Sequence, residues 1–233
     1  RFLTARDTPS SLRLQLKGDH NRGNATLAIA AAAAAGADPR AAARAAASFA
    51  GVQRRLTVRY RAPDGRAVIV EDYAHHPAEL KASLDALRAE YPGHRLVTVF
   101  QPHRFERIRR YADAFARVLS RADDVTVYGA FSAWVKDTDI ADPAGIAAAV
   151  RGVPARYWDG PRAELAHGLA AQSADGAATL YAIIGAGDVC DLVAPLRDEL
   201  VGRCLDACAA ALVRSCPGLR ISRTRPWRQL TSL

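Results

Sequence analysis

The runs Ala67-Val68-Ile69-Val70 and Leu96-Val97-Thr98-Val99-Phe100 decide the fold class of this chain. Both are short and rich in β-branched residues, and neither shows the strict polar–apolar alternation of a half-exposed strand. Between them, Leu80, Leu84 and Leu87 recur at the spacing of one helix face. Continuous apolar strands joined by a helix are typical of a parallel sheet covered on both faces.

The alternation of strand and helix continues to about residue 200. The further predicted elements are a helix marked by Ile108, Tyr111, Phe115 and Leu119, a strand at 125–128, helices at 143–150 and 161–172, a strand at 179–184 and a helix at 189–200. We therefore predict an α/β fold, with a mostly parallel sheet and helices on both faces.

The first 50 residues have a different pattern. Residues 11–16 alternate between polar and apolar side chains, which predicts a strand. Two Ala-rich helices follow, separated at Gly36-Ala37-Asp38-Pro39. We expect Asp38 to cap the second helix, with Pro39 at its first position.

We expect three segments along the chain. Gly51-Val52-Gln53-Arg54-Arg55 has the character of a hinge, so residues 1–53 form one segment and residues 54–200 form the α/β domain. Residues 201–233 form a tail with three of the four cysteines, and the sequence assigns it no role.

Composition and length exclude several classes of protein. The chain has 233 residues, half of them hydrophobic, which is enough to bury a full core. No apolar run approaches the ~20 residues of a membrane span, and the first residues lack the apolar region of a signal peptide. We therefore expect a cytoplasmic chain that does not enter a membrane. The absence of methionine suggests a piece of a longer protein or a trimmed product.

Charge and cysteine usage argue against nucleic acid and against a metal site. The formal net charge is +8, but the arginines are spread along the chain rather than gathered in one block. The three tryptophans lie far apart in the sequence, unlike a base-stacking surface. The cysteines form no C-x-x-C pair and no histidine lies among them, so we expect free thiols and no bound metal.

Polar side chains cluster directly after two predicted strands, at Glu71–Pro77 and at Gln101–Arg107. Ligands of parallel sheets bind beyond the carboxyl ends of the strands. Strands joined by one helix are usually neighbours, so we expect the two clusters to face each other. They would bring three histidines and two arginines around one crevice, where arginine can bind a carboxylate or phosphate and histidine can carry a proton.

The same residues also allow plainer interpretations. His-His-Pro is common at a helix start, and Asn21 could cap a helix. Glu106 could neutralise Arg104 or Arg107. The turn Gly185-Ala186-Gly187-Asp188 could bind phosphate or could simply lead into a helix.

These clusters resemble signatures of the Mur ligase family, in particular of its alanine-adding members. Asp72-Tyr73-Ala74-His75-His76-Pro77 is similar to D-Y-(G/A)-H-H-P, and Phe100-Gln101-Pro102-His103-Arg104-Phe105 is similar to F-Q-P-H-R-(Y/F). Three further stretches match in order: His20–Ala25 resembles H-N-x-x-N-A, Gly51–Leu56 resembles G-V-x-R-R-F, and Gly185–Asp188 matches G-A-G-D.

The resemblance implies an ATP-dependent ligase of peptidoglycan synthesis that joins L-alanine to UDP-N-acetylmuramate. The family has a domain for the UDP end, a central ATP-binding domain, and a Rossmann-like C-terminal domain that receives the amino acid. On this comparison, residues 1–53 correspond to the helical end of the central domain and residues 54–200 to the C-terminal domain.

The resemblance also implies roles for individual residues. The residues implied to contact ATP are His20, Asn21, Asn24, Arg55 and Asp72. Those implied to line the pocket for the alanine and the muramoyl carboxyl are Tyr73, His75, His103, Arg104 and Arg107. No residue receives a certain catalytic role. The family's phosphate loop, the ligands of its Mg²⁺ and its UDP-binding domain have no counterpart in the chain, so we expect the chain alone to be inactive.

Two departures put the amino-acid specificity in doubt. Glu106 replaces a small polar residue, and Ala130-Phe131-Ser132-Ala133-Trp134 lacks the family's Pro-Ala-Gly-Glu-like turn. Two other functions stay open: a tripeptide-recycling muramate ligase, which has a similar H-H-P motif, and a non-catalytic remnant that binds a nucleotide or a partner.

Overall fold

The computed structural model describes residues 4–7, 9, 11–16, 18–131, 142–172 and 176–215. The strands are β1 (Thr57–Arg61), β2 (Ala67–Asp72), β3 (Arg95–Gln101), β4 (Asp124–Tyr128), β5 (Ala155–Trp158) and β6 (Thr179–Gly185). The helices are α1 (Asp19–Ala34), α2 (Pro39–Ser48), α3 (Pro77–Glu90), α4 (Phe105–Leu119), α5 (Pro143–Ala149), α6 (Arg162–Gln172) and α7 (Val193–Ser215).

The strands form one sheet in the order β1-β2-β6-β3-β4-β5. Only the β1–β2 pair of this sheet is antiparallel. One face packs on α3, α4 and α5 through side chains such as Leu84, Phe100 and Phe115, and the other packs on α6 and α7 through side chains such as Val99 and Leu196. The predicted α/β class, with a mostly parallel sheet and helices on both faces, is confirmed.

The strand order corrects one prediction. We expected β2 and β3 to be neighbours, but β6 lies between them, with Ala182 paired to both Val70 and Thr98. All seven residues of β6 are buried, which suits the centre of a sheet covered on both faces. The polar clusters after β2 and β3 still lie at one edge, because β2, β6 and β3 run parallel.

Two strands were missed and one predicted strand does not form. The missed strands, β1 and β5, are the outer strands of the sheet, and neither contains a buried residue. Residues 11–16 form no strand, because they lie beside α1 and α2 rather than along a sheet edge. Gln15 Nε2 instead donates a hydrogen bond to the Ser48 carbonyl oxygen at 3.3 Å.

Helices α1 and α2 confirm the two predicted Ala-rich helices. The Asp38 carboxylate accepts hydrogen bonds from Arg40 N and Ala41 N, with Pro39 in the first turn, as predicted. Both helices bury little: Thr26 is the only buried residue of α1, and α2 has none. Side chains of both helices line a cleft, which is described below with the second site.

The last helix extends beyond its predicted end. A 3-10 turn at Asp188–Leu192 leads into α7, which passes residue 200 and ends at Ser215, so part of the expected tail is helical. Residues 216–233 lie outside the described residues, as do Ser132, Ala133 and Trp134 of the departure noted above. Among the described residues, no helix has the length and apolarity to cross a membrane.

Candidate functional site

The two polar clusters meet at the carboxyl ends of the central strands. The ring centroids of His75, after β2, and His103, after β3, lie 5.7 Å apart, although β6 separates the strands. The Tyr73 ring lies 5.4 Å from that of His75, and Arg107 Nη1 donates to the His75 carbonyl oxygen at 3.3 Å. Together with Arg104, the residue before α4, these are the five residues predicted to line the amino-acid pocket.

Arg104 is held in an unusual backbone conformation. Its φ of 65° lies in the left-handed region, which costs a non-glycine residue on the order of 1 kcal/mol or more. Its amide donates to the Phe131 carbonyl oxygen at 3.1 Å, and its own carbonyl accepts from Arg107 N and Ile108 N to open α4. Backbone strain of this kind persists where the surroundings impose it, often at functional sites.

Phe131 packs against this group of side chains. The His103 ring stacks on Phe131 with 5.7 Å between centroids, and the buried His103 Nδ1 has no hydrogen-bond partner in the described part of the chain. A Cβ atom at Gly187 would lie 2.6 Å from Phe131 and 2.4 Å from Gln101 Oε1. Position 187 therefore admits no side chain, which is why the turn has glycine there.

Gln101 joins three strand ends, a role that sequence reasoning missed. Its Nε2 donates to Gly129 O at 3.0 Å and to Asp188 Oδ1 at 2.8 Å, and its Oε1 accepts from Val189 N at 2.9 Å. These bonds connect the ends of β3, β4 and β6. The only signal in the sequence was its place in the F-Q-P-H-R motif.

The His-His-Pro stretch combines a helix start with a site residue. His76 precedes α3, and its Nδ1 accepts from Ala78 N, while the Glu79 carboxylate accepts from the amides of His75 and His76. His75 Nδ1 lies 3.0 Å from the Tyr73 carbonyl oxygen. Because a carbonyl oxygen only accepts, this contact places the proton of a neutral His75 ring on Nδ1 and leaves Nε2 as an acceptor.

A second site is a cleft of about 840 Å³ between α1, α2, α3 and residues 11–16. All five residues predicted to contact ATP line this cleft: His20, Asn21, Asn24, Arg55 and Asp72. Its remaining walls are largely apolar and include Leu14, Leu16, Ile29, Ala45, Phe49 and Val52. An apolar cleft with a few polar groups is the usual form of a small-molecule site.

The His20 ring lies in this cleft, close against Gly18. Gly18 has a φ of 94°, and a Cβ there would lie 2.8 Å from the His20 ring. Burial lowers the pKa of His20 below its usual 6.5, although the charge of Asp72 raises it, so the ring is neutral near pH 7. The interpretation of Asn21 as a helix cap is wrong, because α1 begins at Asp19, before Asn21.

Asp72 forms part of the cleft wall and also fixes the linker at residues 51–56. Its buried carboxylate accepts from Leu56 N at 2.8 Å, from Ala74 N at 2.7 Å and from Ser83 Oγ at 3.3 Å. Burial raises the pKa of Asp72, and these hydrogen bonds and the charge of Arg55 oppose that rise. Much of its bonding capacity is thus used within the protein.

The cleft shares a wall with the group of side chains around His75. Arg55 lines the cleft, and its Cζ lies 5.6 Å from the centroid of the Tyr73 ring in that group. Glu106 is exposed and forms no ion pair with Arg104 or Arg107 in the described part of the chain. The described residues also include no group of three or more side chains arranged to hold a metal ion.

The charges in the pocket give a prediction for His103. Burial lowers the pKa of His103 below 6.5, and the charges of His75, Arg104 and Arg107 lower it further. Arg104→Ala should therefore raise this pKa part of the way back, because burial remains. Ring NMR titration of the chain measures it, with Arg110→Ala on the outer side of α4 as a control. An unchanged His103 pKa in Arg104→Ala would show that Arg104 does not face the pocket.

Comparison with known proteins identifies relatives of the chain. The sequence model of a protein family, described as "Mur ligase, glutamate ligase domain", matches residues 54–190. The UDP-N-acetylmuramate--L-alanine ligase of Bifidobacterium longum (strain NCC 2705) is 39% identical over 189 residues, which cover 78% of this chain and 36% of the relative. A ligase of the same name from Halorhodospira halophila is 46% identical over 143 residues, which cover 60% of this chain and 29% of that relative.

Solved structures agree on the fold. A UDP-N-acetylmuramate-alanine ligase from Thermotoga maritima matches with a TM-score of 0.61 at 24% identity, over 83% of this chain and 40% of that chain. A murein peptide ligase from Psychrobacter arcticus matches with a TM-score of 0.63 at 22% identity, over 80% of this chain and 38% of that chain. The chain thus spans 36% of the length of its B. longum relative, and its matched α/β domain is more than half of its own length. By this match, the chain belongs to the Mur ligase family.

Proposed function

We propose that this chain supplies the adenosine side and the amino-acid side of the active site in a ligase that uses ATP to join L-alanine to UDP-N-acetylmuramate. The observation that carries the proposal is the adjoining arrangement of the two sites, which share the contact between Arg55 and Tyr73. The names of the relatives from B. longum and H. halophila support the choice of substrates.

The amino-acid pocket suits a carboxylate. Arg104 and Arg107 lie at the start of α4, where the helix dipole favours an anion and disfavours unpaired cations. A carboxylate bound there would relieve that conflict and accept charge-assisted hydrogen bonds from both guanidinium groups. In this reaction the carboxylate would belong to the amino acid or to the muramoyl group, and closure of the site over it would exclude water.

The cleft suits the adenosine end of a nucleotide. Its apolar walls can hold a flat base, and the amides of Asn21 and Asn24 and the neutral ring of His20 offer hydrogen bonds to base edges. Arg55 at the mouth offers donors to a ribose or phosphate. The phosphates and Mg²⁺ would be held by the part of the family's central domain that lies outside these 233 residues.

Asn24→Ala should impair ATP use and spare alanine use. The test uses a restored enzyme, in which the chain is joined to the amino-terminal two-thirds of its B. longum relative. Loss of one hydrogen bond of about 0.5–1.5 kcal/mol should raise KM for ATP by roughly 3–10-fold and leave KM for alanine nearly unchanged. Leu27→Ala, an exposed change on the same helix, is the matched control. A rise in KM for alanine alone would assign Asn24 to the wrong ligand.

The two other functions make different predictions for the same enzyme. A tripeptide-recycling ligase would use the tripeptide L-Ala-γ-D-Glu-diaminopimelate in place of alanine. A non-catalytic remnant would bind nucleotide in the cleft but give no amide product even when joined to the amino-terminal part of the relative.

A further inference from the structure

Arg54 connects the linker at residues 51–56 to two strand ends. Its Nη2 donates to Gly185 O and to Gly187 O, both at 2.9 Å, in the turn after β6. Its Nε lies 2.7 Å from Glu71 Oε1 at the end of β2, and the Glu71 side chain is only 4% exposed. No role for Arg54 follows from the sequence, because these partners lie far along the chain.

The backbone around Arg54 is constrained as well. Arg54 and Leu56 have φ values of 59° and 47°, so two left-handed residues flank Arg55. The Arg54 carbonyl accepts from Tyr73 N at 2.7 Å, and the Leu56 amide donates to Asp72. A linker with this much strain needs strong contacts to keep its shape.

The two neighbours of Arg54 belong to the two sites. Arg55 lines the nucleotide cleft, and Tyr73, whose ring centroid is 4.9 Å from the Arg54 Cζ, belongs to the amino-acid pocket. The turn bonded by Arg54 contains Gly187, which packs against Phe131. Arg54 therefore contacts elements on both sides of the shared wall without lining the cleft itself.

We propose that Arg54 is a positioning residue, which anchors the linker to the ends of β2 and β6 and thereby holds Arg55 in the cleft and Tyr73 at the pocket. The assignment of ligands to those two sites rests on the proposed function above. The anchoring itself rests on the contacts of Arg54.

The shape of arginine suits this arrangement. Its guanidinium is planar and carries several donors, so Nη2 donates to two carbonyl oxygens while Nε stays at ion-pair distance from Glu71, without a hydrogen bond in the described part of the chain. Lysine at this position could pair with Glu71 but could not also donate to the two carbonyl oxygens in this geometry. Arg59 offers a matched comparison, because its Nη1 lies 3.3 Å from the other oxygen of Glu71, at Oε2, and it belongs to the exposed part of β1.

The test compares Arg54→Lys with Arg59→Lys in the full chain by NMR. In Arg54→Lys we expect the Tyr73 amide to exchange with solvent at least tenfold faster and the nuclear Overhauser contact between the Tyr73 ring and the Arg55 side chain to disappear. Titration with ADP should show a Kd at least fivefold higher. In Arg59→Lys the exchange rate of the Tyr73 amide and the Kd for ADP should stay within twofold of wild type. The contact between the Tyr73 ring and the Arg55 side chain should still be present.

The outcomes separate this inference from the proposed function. Retention of the Tyr73–Arg55 contact and of amide protection in a folded Arg54→Lys overturns the inference, and so does an unchanged Kd for ADP. If wild type does not bind ADP but the contact is lost in Arg54→Lys, the inference stands and the nucleotide function fails. Should Arg54→Lys not fold, Glu71→Gln provides the same readouts, with the same expected direction and the same contradicting result.

Discussion

Arg104→Ala in the restored enzyme is expected to lower kcat/KM for L-alanine by about 30-fold or more. Arg104 follows β3 directly, at the edge where ligands of parallel sheets bind. Its exposed side chain is close enough to His103 for its charge to lower the pKa of that ring. A carboxylate held between Arg104 and Arg107 would lose its water when the site closes. Removing one partner of such a buried pair costs on the order of 2–5 kcal/mol, and each ~1.4 kcal/mol is a factor of ten.

Two further variants make this result specific. Arg104→Lys should recover only part of the activity, because lysine cannot offer the planar fork. Arg110→Ala, an exposed arginine of the same helix, should leave alanine kinetics unchanged. If Arg104→Ala and Arg104→Lys both stay within about twofold of wild type, Arg104 binds no carboxylate in the reaction.

Gln101→Ala is expected to destabilise the chain by about 2–5 kcal/mol, since each buried polar group left unpaired costs about 1–3 kcal/mol. The side chain is 2% exposed, and its loss leaves the buried Val189 amide and the Gly129 carbonyl without their partner. Thermal unfolding followed by circular dichroism should show a Tm lower by roughly 4–20 °C for a chain of this size.

Gln15→Ala is the matched control for this substitution. Gln15 is exposed and makes one hydrogen bond, to Ser48 O, so its removal should change the free energy of unfolding by less than about 0.5 kcal/mol. Equal Tm values for Gln101→Ala and wild type would mean that the strand ends are not held together through Gln101.

The inner strands could be predicted from the sequence and the outer strands could not. β2, β3, β4 and β6 are predicted to within two residues at each end, because they are buried on both faces and read as apolar runs. In β1, Arg59 and Arg61 interrupt the pattern, and in β5 Arg156 does so, because an outer strand exposes side chains to solvent. The order of β2, β6 and β3 depends on pairing between distant segments, which local patterns do not contain.

Residues of the site were predictable where a motif follows a strand end. The groups at residues 72–76 and 103–107 lie together because parallel strands end at one edge, even though β2 and β3 are not neighbours. The contacts of Gln101 and Arg54 span 88 and 131 residues of sequence, so they could be identified only in the folded chain. The binding roles of the residues in these two groups stay predictions.

The central claim is most directly tested by the product that the restored enzyme forms. With ATP, Mg²⁺, UDP-N-acetylmuramate and an equimolar mixture of L-alanine and the tripeptide, mass spectrometry should detect UDP-N-acetylmuramoyl-L-alanine as the main product. Omitting ATP, or using the 233-residue chain alone, should abolish it. Formation of the tripeptide product instead, or no amide product from a folded restored enzyme that binds ATP, would contradict the account.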